Sequence, residues 1–197
     1  ECPNLEVLHQ PGRDRDEAVR AAYAREKVPR VTVTLFLDDV PRELDRADVI
    51  LSLDADFMAC GAGSVRYARD VAPRRRAGAA SMNRLYVVEG SPTPSGASAD
   101  HRLALRSSEI EGFARAVAAG VGVAVEGAVD HAWVAPIVKD LKRAGARALV
   151  IAGESQPPAV HALAHAMNEA LGSVGTTVTY TAPAEAAPVG ETAALPA

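Results

Sequence analysis

The chain has 197 residues, 48% of them hydrophobic and 23% charged, a balance that builds a globular core and excludes disorder throughout. A net charge of −4 at pH 7 argues against a nucleic-acid binder, whose affinity comes largely from cationic contacts to phosphate, and no apolar run approaches the ~20 residues needed to span a bilayer. Aromatic residues make up only 4% while alanine occurs 40 times, so the core must pack small side chains closely, as helix-on-sheet layers do.

The predicted elements alternate. An apolar run at 5–9 is followed by a helical pattern at 14–26 and a β-branched strand at 31–37, VTVTLFL. A helical turn at 41–46 leads into 48–53, DVILSL, whose continuous hydrophobicity predicts a strand buried on both faces, as in a parallel sheet. A loop at 54–63, a helix at 64–75, a strand at 84–89 and a small-residue loop at 90–100 come next. Beyond these the pattern predicts a strand at 101–105, helices at 108–119 and 130–143, a strand at 147–152, a helix at 157–171 and a final strand at 176–181, TTVTYT. Residues 182–197 are Ala/Pro-rich without period and are expected to be a flexible or truncated end. This alternation predicts an α/β fold, an open and mainly parallel Rossmann-like sheet with helices on both faces. The expected organisation is an α/β segment at 1–122, a second at 123–183 and the end at 184–197. The first residue is Glu1 and no signal peptide is present, which points to a processed chain or a piece of something longer.

Two cysteines, Cys2 and Cys60, are too few for a [4Fe–4S] cluster or a structural zinc site. A disulfide between them is one option; free thiols are the expectation.

Ligands of open α/β sheets sit at the carboxyl ends of the strands, so the loops after strands hold the candidate residues. In 54–63, Asp54 and Asp56 can accept hydroxyls or face a cation, and Gly61 and Gly63 permit close backbone approach before a helix. The G-x-G-x-x-G pattern fails because position 66 is Arg, and a plain turn with a capping Asp is the competing reading. In 90–102, Thr93, Ser95 and Ser98 offer hydroxyls and Asp100 and His101 close the loop. Ser98, Asp100 and His101 are too close in sequence for a catalytic triad, and no G-x-S-x-G elbow exists. In the third loop Glu154 follows a strand and Ser155 is the expected N-cap of the next helix. On that helix His161, His165 and Asn168 form a polar stripe, read as a solvated or interdomain face rather than a metal site because Ala162 stands where H-E-x-x-H needs its glutamate. The arginines Arg66, Arg69 and Arg74 to Arg76 lie late in a helix, where cations complement its dipole.

Three strings, ADVILSLDADF with GAGSVRYARDVAPRRR, MNRLYVVEGSPTPSGASADHRLALRSSEIE, and ALVIAGESQPPAVHALAHAMNEALGSVGTTVTYT, run in order over 47–183. Together they resemble the molybdopterin-oxidoreductase-like, iron–sulfur subunit of bacterial alternative complex III, a quinol:electron-acceptor oxidoreductase. The resemblance implies that Asp54, Asp56, Thr93, Ser95, Asp100 and Glu154 are the positions that would touch a pterin guanine dinucleotide. It implies no catalytic residue and no molybdenum ligand, since Arg106, Ser107, Ser108 and Glu109 stand where active enzymes have an R-P-G-T-D-like turn. By the same resemblance the molybdopterin is lost, iron–sulfur clusters lie outside this segment, and the partners are cytochrome c and quinol-oxidising membrane subunits. The expected location is then the periplasmic face of the bacterial cytoplasmic membrane, reached by the twin-arginine route. The implied role is a non-catalytic scaffold in respiratory electron transfer. Its alternatives are a cofactor-gripping domain of a catalytic molybdenum or tungsten enzyme and an independent nucleotide-binding domain. Self-association of the segment through apolar faces is also expected.

Overall fold

The computed structural model of the chain describes residues 7–9, 31–33, 43–61, 63–79 and 81–179. Two short strands, β1 (Val7–His9) and β2 (Val31–Val33), pair in parallel. The expected helix at 14–26, the rest of the 31–37 run, Cys2 and the 182–197 tail lie outside the described residues.

The main body is a four-stranded parallel sheet of β3 (Val49–Leu53), β4 (Arg84–Glu89), β5 (His101–Ala104) and β6 (Ala148–Ala152), in the order β5-β4-β3-β6. Side chains alternate across a strand, so one apolar run can serve two cores. Val49, Leu51 and Leu53 of β3, with Tyr86, Val88, Ala148 and Val150, face one layer. Ile50, Leu85, Val87, Leu149 and Ile151 face the other. The first layer holds three helices, α3 (Ser107–Val121), α4 (Val134–Ala144) and α5 (Pro158–Ala170); the second holds α1 (Ser64–Val71). The architecture is therefore α/β and Rossmann-like, with helices on both faces. The alanine content has its use here: Ala114 and Ala118 of α3 and Ala164 of α5 sit in the first core, and a Cβ at Gly120 would come within 2.5 Å of Val138 on α4. The expected segments 1–122 and 123–183 both contribute to this sheet, since β6 pairs with β3 in the register Val49↔Ala148 to Leu53↔Ala152.

Local chemistry explains where elements end. Pro73 lacks a backbone donor, so the helix expected at 64–75 runs as α-helix only to Val71 and finishes as a tighter 3-10 turn at Ala72–Arg75. The loop at 90–100 contains one helical turn, α2 (Pro94–Ala97), started by Thr93, whose side chain accepts the Gly96 N–H. The strand expected at 176–181 is not a strand among the described residues. The N–H groups of Thr176, Thr177 and Val178 all converge on the Ser173 carbonyl, making a turn, while Val178 is buried in the second core. β-branched composition was real, but a turn that buries Val178 satisfies it as well as an added strand does. Ser155 is not the cap of α5 either: Pro157 holds that place, with no side-chain cap.

Candidate functional site at the carboxyl edge of the sheet

Because all four strands run the same way, the loops after them gather on one edge. Asp54 is the first residue beyond β3 and takes a left-handed backbone, φ 58°, a conformation that Asp tolerates better than most residues. This turn aims its carboxylate along the edge, where it accepts from Gly90 N–H after β4 (3.0 Å), Ser107 Oγ after β5 (3.2 Å) and Gln156 Nε2 after β6 (2.8 Å). One side chain thus ties together the loops of all four strands. The β6 loop approaches so closely that a Cβ at Gly153 would fall 2.0 Å from the Asp54 carbonyl oxygen, so only glycine fits.

Beside this hub, Asp56 accepts from both the N–H (3.0 Å) and the hydroxyl (2.6 Å) of Ser95, and the same Ser95 oxygen accepts the Met58 N–H at 3.1 Å. Thr93 donates its hydroxyl to Glu89 Oε2 at 2.6 Å. Glu89 itself is 1% exposed and ion-paired with Arg102. Glu154 is exposed at the β6 loop, and a Cβ at Gly61 would lie 3.5 Å from its Oε1. Cys60, a free and exposed cysteine, sits in the same place. Its thiol is pushed above its ordinary value, by local desolvation first and then by the Asp56 and Glu154 carboxylates, so it stays protonated near neutral pH and is a poor nucleophile.

The structure therefore brings Asp54, Asp56, Thr93, Ser95 and Glu154 to one edge and leaves Asp100 on the opposite one. Asp100 precedes β5, and its Oδ2 accepts the Leu85 N–H at the start of β4 at 2.7 Å. Burial alone would raise its pKa, but the Arg75 guanidinium, 2.6 Å away, and the Leu85 N–H outweigh burial and lower it. Ser98 donates to the Pro94 carbonyl and His101 stacks on Tyr86, so these neighbours in sequence do not converge. Arg66 pairs with Glu43, and Arg74 and Arg75 bind Asp48 and Asp100; these cations serve as tertiary anchors rather than only facing a helix dipole. Of the stripe on α5, His161 and His165 are half-buried and Asn168 is buried, its amide bonded to β6. Among the described residues no group of three or more His, Cys, Asp or Glu is placed to hold a metal.

Reading loops for carboxylates and hydroxyls missed Glu89, Gln156, Ser107 and Arg102. Glu89 did carry a signal, as a charge closing the apolar run RLYVVE. The other three are ordinary polar residues whose roles depend on partners 13 to 102 positions away.

Chemically, the inner layer of the edge is a closed set of hydrogen bonds that shapes four loops. The outer layer offers acceptors and hydroxyls, chiefly Glu154, Ser155 and Ser91, all exposed. Such groups can accept hydrogen bonds from the hydroxyls of a ribose or sugar.

No family model matches the chain. It is 50% identical over 50 residues to a protein of Sorangium cellulosum (strain So ce56), UDP-N-acetylglucosamine--N-acetylmuramyl-(pentapeptide) pyrophosphoryl-undecaprenol N-acetylglucosamine transferase. The match spans 25% of this chain and 12% of that relative. This overturns the resemblance to a molybdopterin-oxidoreductase-like subunit of alternative complex III. With it fall the scaffold role in respiratory electron transfer, the partnership with cytochrome c and quinol-oxidising membrane subunits, and the alternative of a molybdenum- or tungsten-enzyme domain; that the chain is an independent domain, standing outside any larger enzyme, gains no support from the match. Among the described residues, no helix is long and apolar enough to cross a membrane. The physical reason for the misreading is that ADVILSLDADF, RLYVVEG and ALVIAGE are buried strands followed by small-residue loops, a pattern that any parallel α/β sheet requires. Those strings identify a fold, not a lineage.

Proposed function

We propose that this chain is a sugar-nucleotide-binding α/β domain of a glycosyl-transfer protein, with its ligand at the carboxyl edge between β3 and β6. The observation that carries the reading is the strand order. The chain moves from β3 to β4 on one side, and β6 returns on the other, so the helices that follow β3 and β6 cover opposite faces. Open α/β sheets take ligands at this reversal. The partial likeness to an N-acetylglucosamine transferase supports the sugar-nucleotide class. In this reading Glu154 accepts hydroxyls of the ribose or sugar, and the Asp54 hub holds the β4 and β6 loops in place around the ligand. Glycosyl transfer itself, from UDP-N-acetylglucosamine to a lipid-linked acceptor as the relative's name describes, is proposed for the whole protein.

The test is calorimetric titration of the chain with UDP-N-acetylglucosamine, UDP and ADP. Saturable binding of the uridine nucleotides is expected, and Glu154→Ala weakens it by roughly tenfold, the loss of one charge-assisted hydrogen bond. Absence of saturable binding, or equal binding of ADP, overturns the reading.

A further inference from the structure

On the turn between β6 and α5, Gln156 is only 5% exposed, and its side-chain amide is used at one end alone. Nε2 donates to Asp54 Oδ2 at 2.8 Å. A carboxylate only accepts, so Asp54 dictates which end of the amide faces it and turns Oε1 away as a pure acceptor. That oxygen is buried and meets no donor among the described residues.

The local chain explains why the protein supplies none. Pro157 and Pro158 come next, and neither has a backbone N–H to offer. Helix α5 starts at Pro158 without a side-chain cap, so Gln156 does not serve its free donors either. The backbone fixes the residue from the other side. Gln156 N–H donates to the Gly153 carbonyl at 3.0 Å, and Gly153 is pressed against Asp54 where no Cβ fits. The amide is thus held between the loops that follow β3 and β6, on the same turn as the exposed Glu154 and Ser155.

A buried acceptor without a donor is unfavourable, and a ligand that brings the donor recovers the loss. We propose that Gln156 Oε1 is a specificity-determining acceptor for a hydroxyl or ring N–H of the bound sugar nucleotide. The ligand reaches it by parting the Glu154 turn from the exposed residues 59–61 opposite, where a Cβ at Gly61 would lie 3.5 Å from Glu154 Oε1. This inference rests on the sugar-nucleotide reading and adds a direction to it: the group seated at Gln156 must donate. Ribose and sugar hydroxyls and the uracil N3–H meet that demand. An analogue without the donor leaves Oε1 orphaned in the complex too, which is how a built polar site rejects a near-isostere.

The test is calorimetric titration of the full chain, wild type and Gln156→Met, with UDP-N-acetylglucosamine, UDP, 2′-deoxy-UDP, 3′-deoxy-UDP and N3-methyl-UDP. Methionine keeps the side chain's length and removes both polar atoms. Loss of the Asp54 contact weakens every ligand alike and cancels in the comparison. In the wild type, deleting the donor that meets Oε1 weakens binding about tenfold; in Gln156→Met the same deletion has no effect. The ligand that shows this coupling identifies the donor as sugar, ribose or base. A second readout needs no variant: the Gln156 side-chain amide, one of two glutamine amides in the chain, shifts in the nitrogen-15 spectrum as UDP-N-acetylglucosamine saturates the site. An unmoved signal overturns the inference. Losses that are equal in the two proteins make Oε1 a structural group only and overturn it as well, while the sugar-nucleotide reading stands. Absence of binding of both UDP-N-acetylglucosamine and UDP by the wild type overturns that reading and this inference together.

Discussion

At the scale of single residues, the acids at the carboxyl edge work by holding loops. Glu89 is the tightest case. Its carboxylate is buried, paired with Arg102 and bonded to Thr93, and the chain passes so close that a Cβ at Gly96 would lie 2.0 Å from Oε1. Gly96→Ala therefore has to displace a buried, hydrogen-bonded charge. We expect it to destabilise the fold by about 3 kcal/mol, the upper part of the range for overpacking, measured by urea denaturation. A change within experimental error would mean that Glu89 has room to move. Asp54 and Asp56 were legible as loop carboxylates from their place after an apolar strand. Asp56's partner Ser95 was among the loop hydroxyls singled out as well, whereas Asp54's partners were not legible, because Gly90, Ser107 and Gln156 come from loops 36, 53 and 102 positions away.

At the scale of elements, β6 shows how this sheet closes an exposed edge. A parallel edge strand presents every second residue outward, a template for unwanted pairing. Here the amide of Asn168 accepts the Val150 N–H at 2.8 Å and donates to the Val150 carbonyl at 2.9 Å, and the Thr177 hydroxyl donates to the Ala148 carbonyl at 2.6 Å. One helix residue and one turn residue thus stand in for a fifth strand. Asn168→Ala is expected to cost about 1–3 kcal/mol, since it leaves a buried N–H and C=O unpaired. It should also raise light scattering during refolding, and a variant as stable and as monodisperse as the wild type would refute this account of the edge. In the sequence Asn168 belongs to a polar stripe with His161 and His165. Helical spacing shows which residues share a face, but not that the face turns one of its amides onto a strand.

At the scale of the whole molecule, the amino edge of the sheet is pinned by Asp48. Its carboxylate meets Arg147 before β6 at 2.6 Å and Arg74 at the end of the α1 region at 2.6 Å, joining three parts of the chain. The Arg147 hydrogen bond leads and Arg74 assists, against opposing burial, in lowering the Asp48 pKa from 3.8 to about 2. A depressed carboxylate adds stability above its unfolded value, and that share disappears as pH falls through 3.8 toward about 2. The stability difference between the wild type and Asp48→Asn should accordingly be constant near neutrality and shrink below about pH 4. The site is partly open to solvent and the difference is modest, so it is best read from paired denaturation curves at each pH. A difference that stays flat down to pH 2.5, about the lower end of carboxylate titration, would remove Asp48 from this role. The α/β class and the strands at β3, β4 and β6 could be read in advance because burial on two faces leaves a local signature, a continuous apolar run of strand length. Convergence is not local. That Asp100 belongs to the amino edge and that β6 lies beside β3 depend on crossovers between distant segments. The kinship inferred from the strings failed for a related reason: the sheet's own demand for apolar strands and small-residue loops outweighs any trace of ancestry in such stretches.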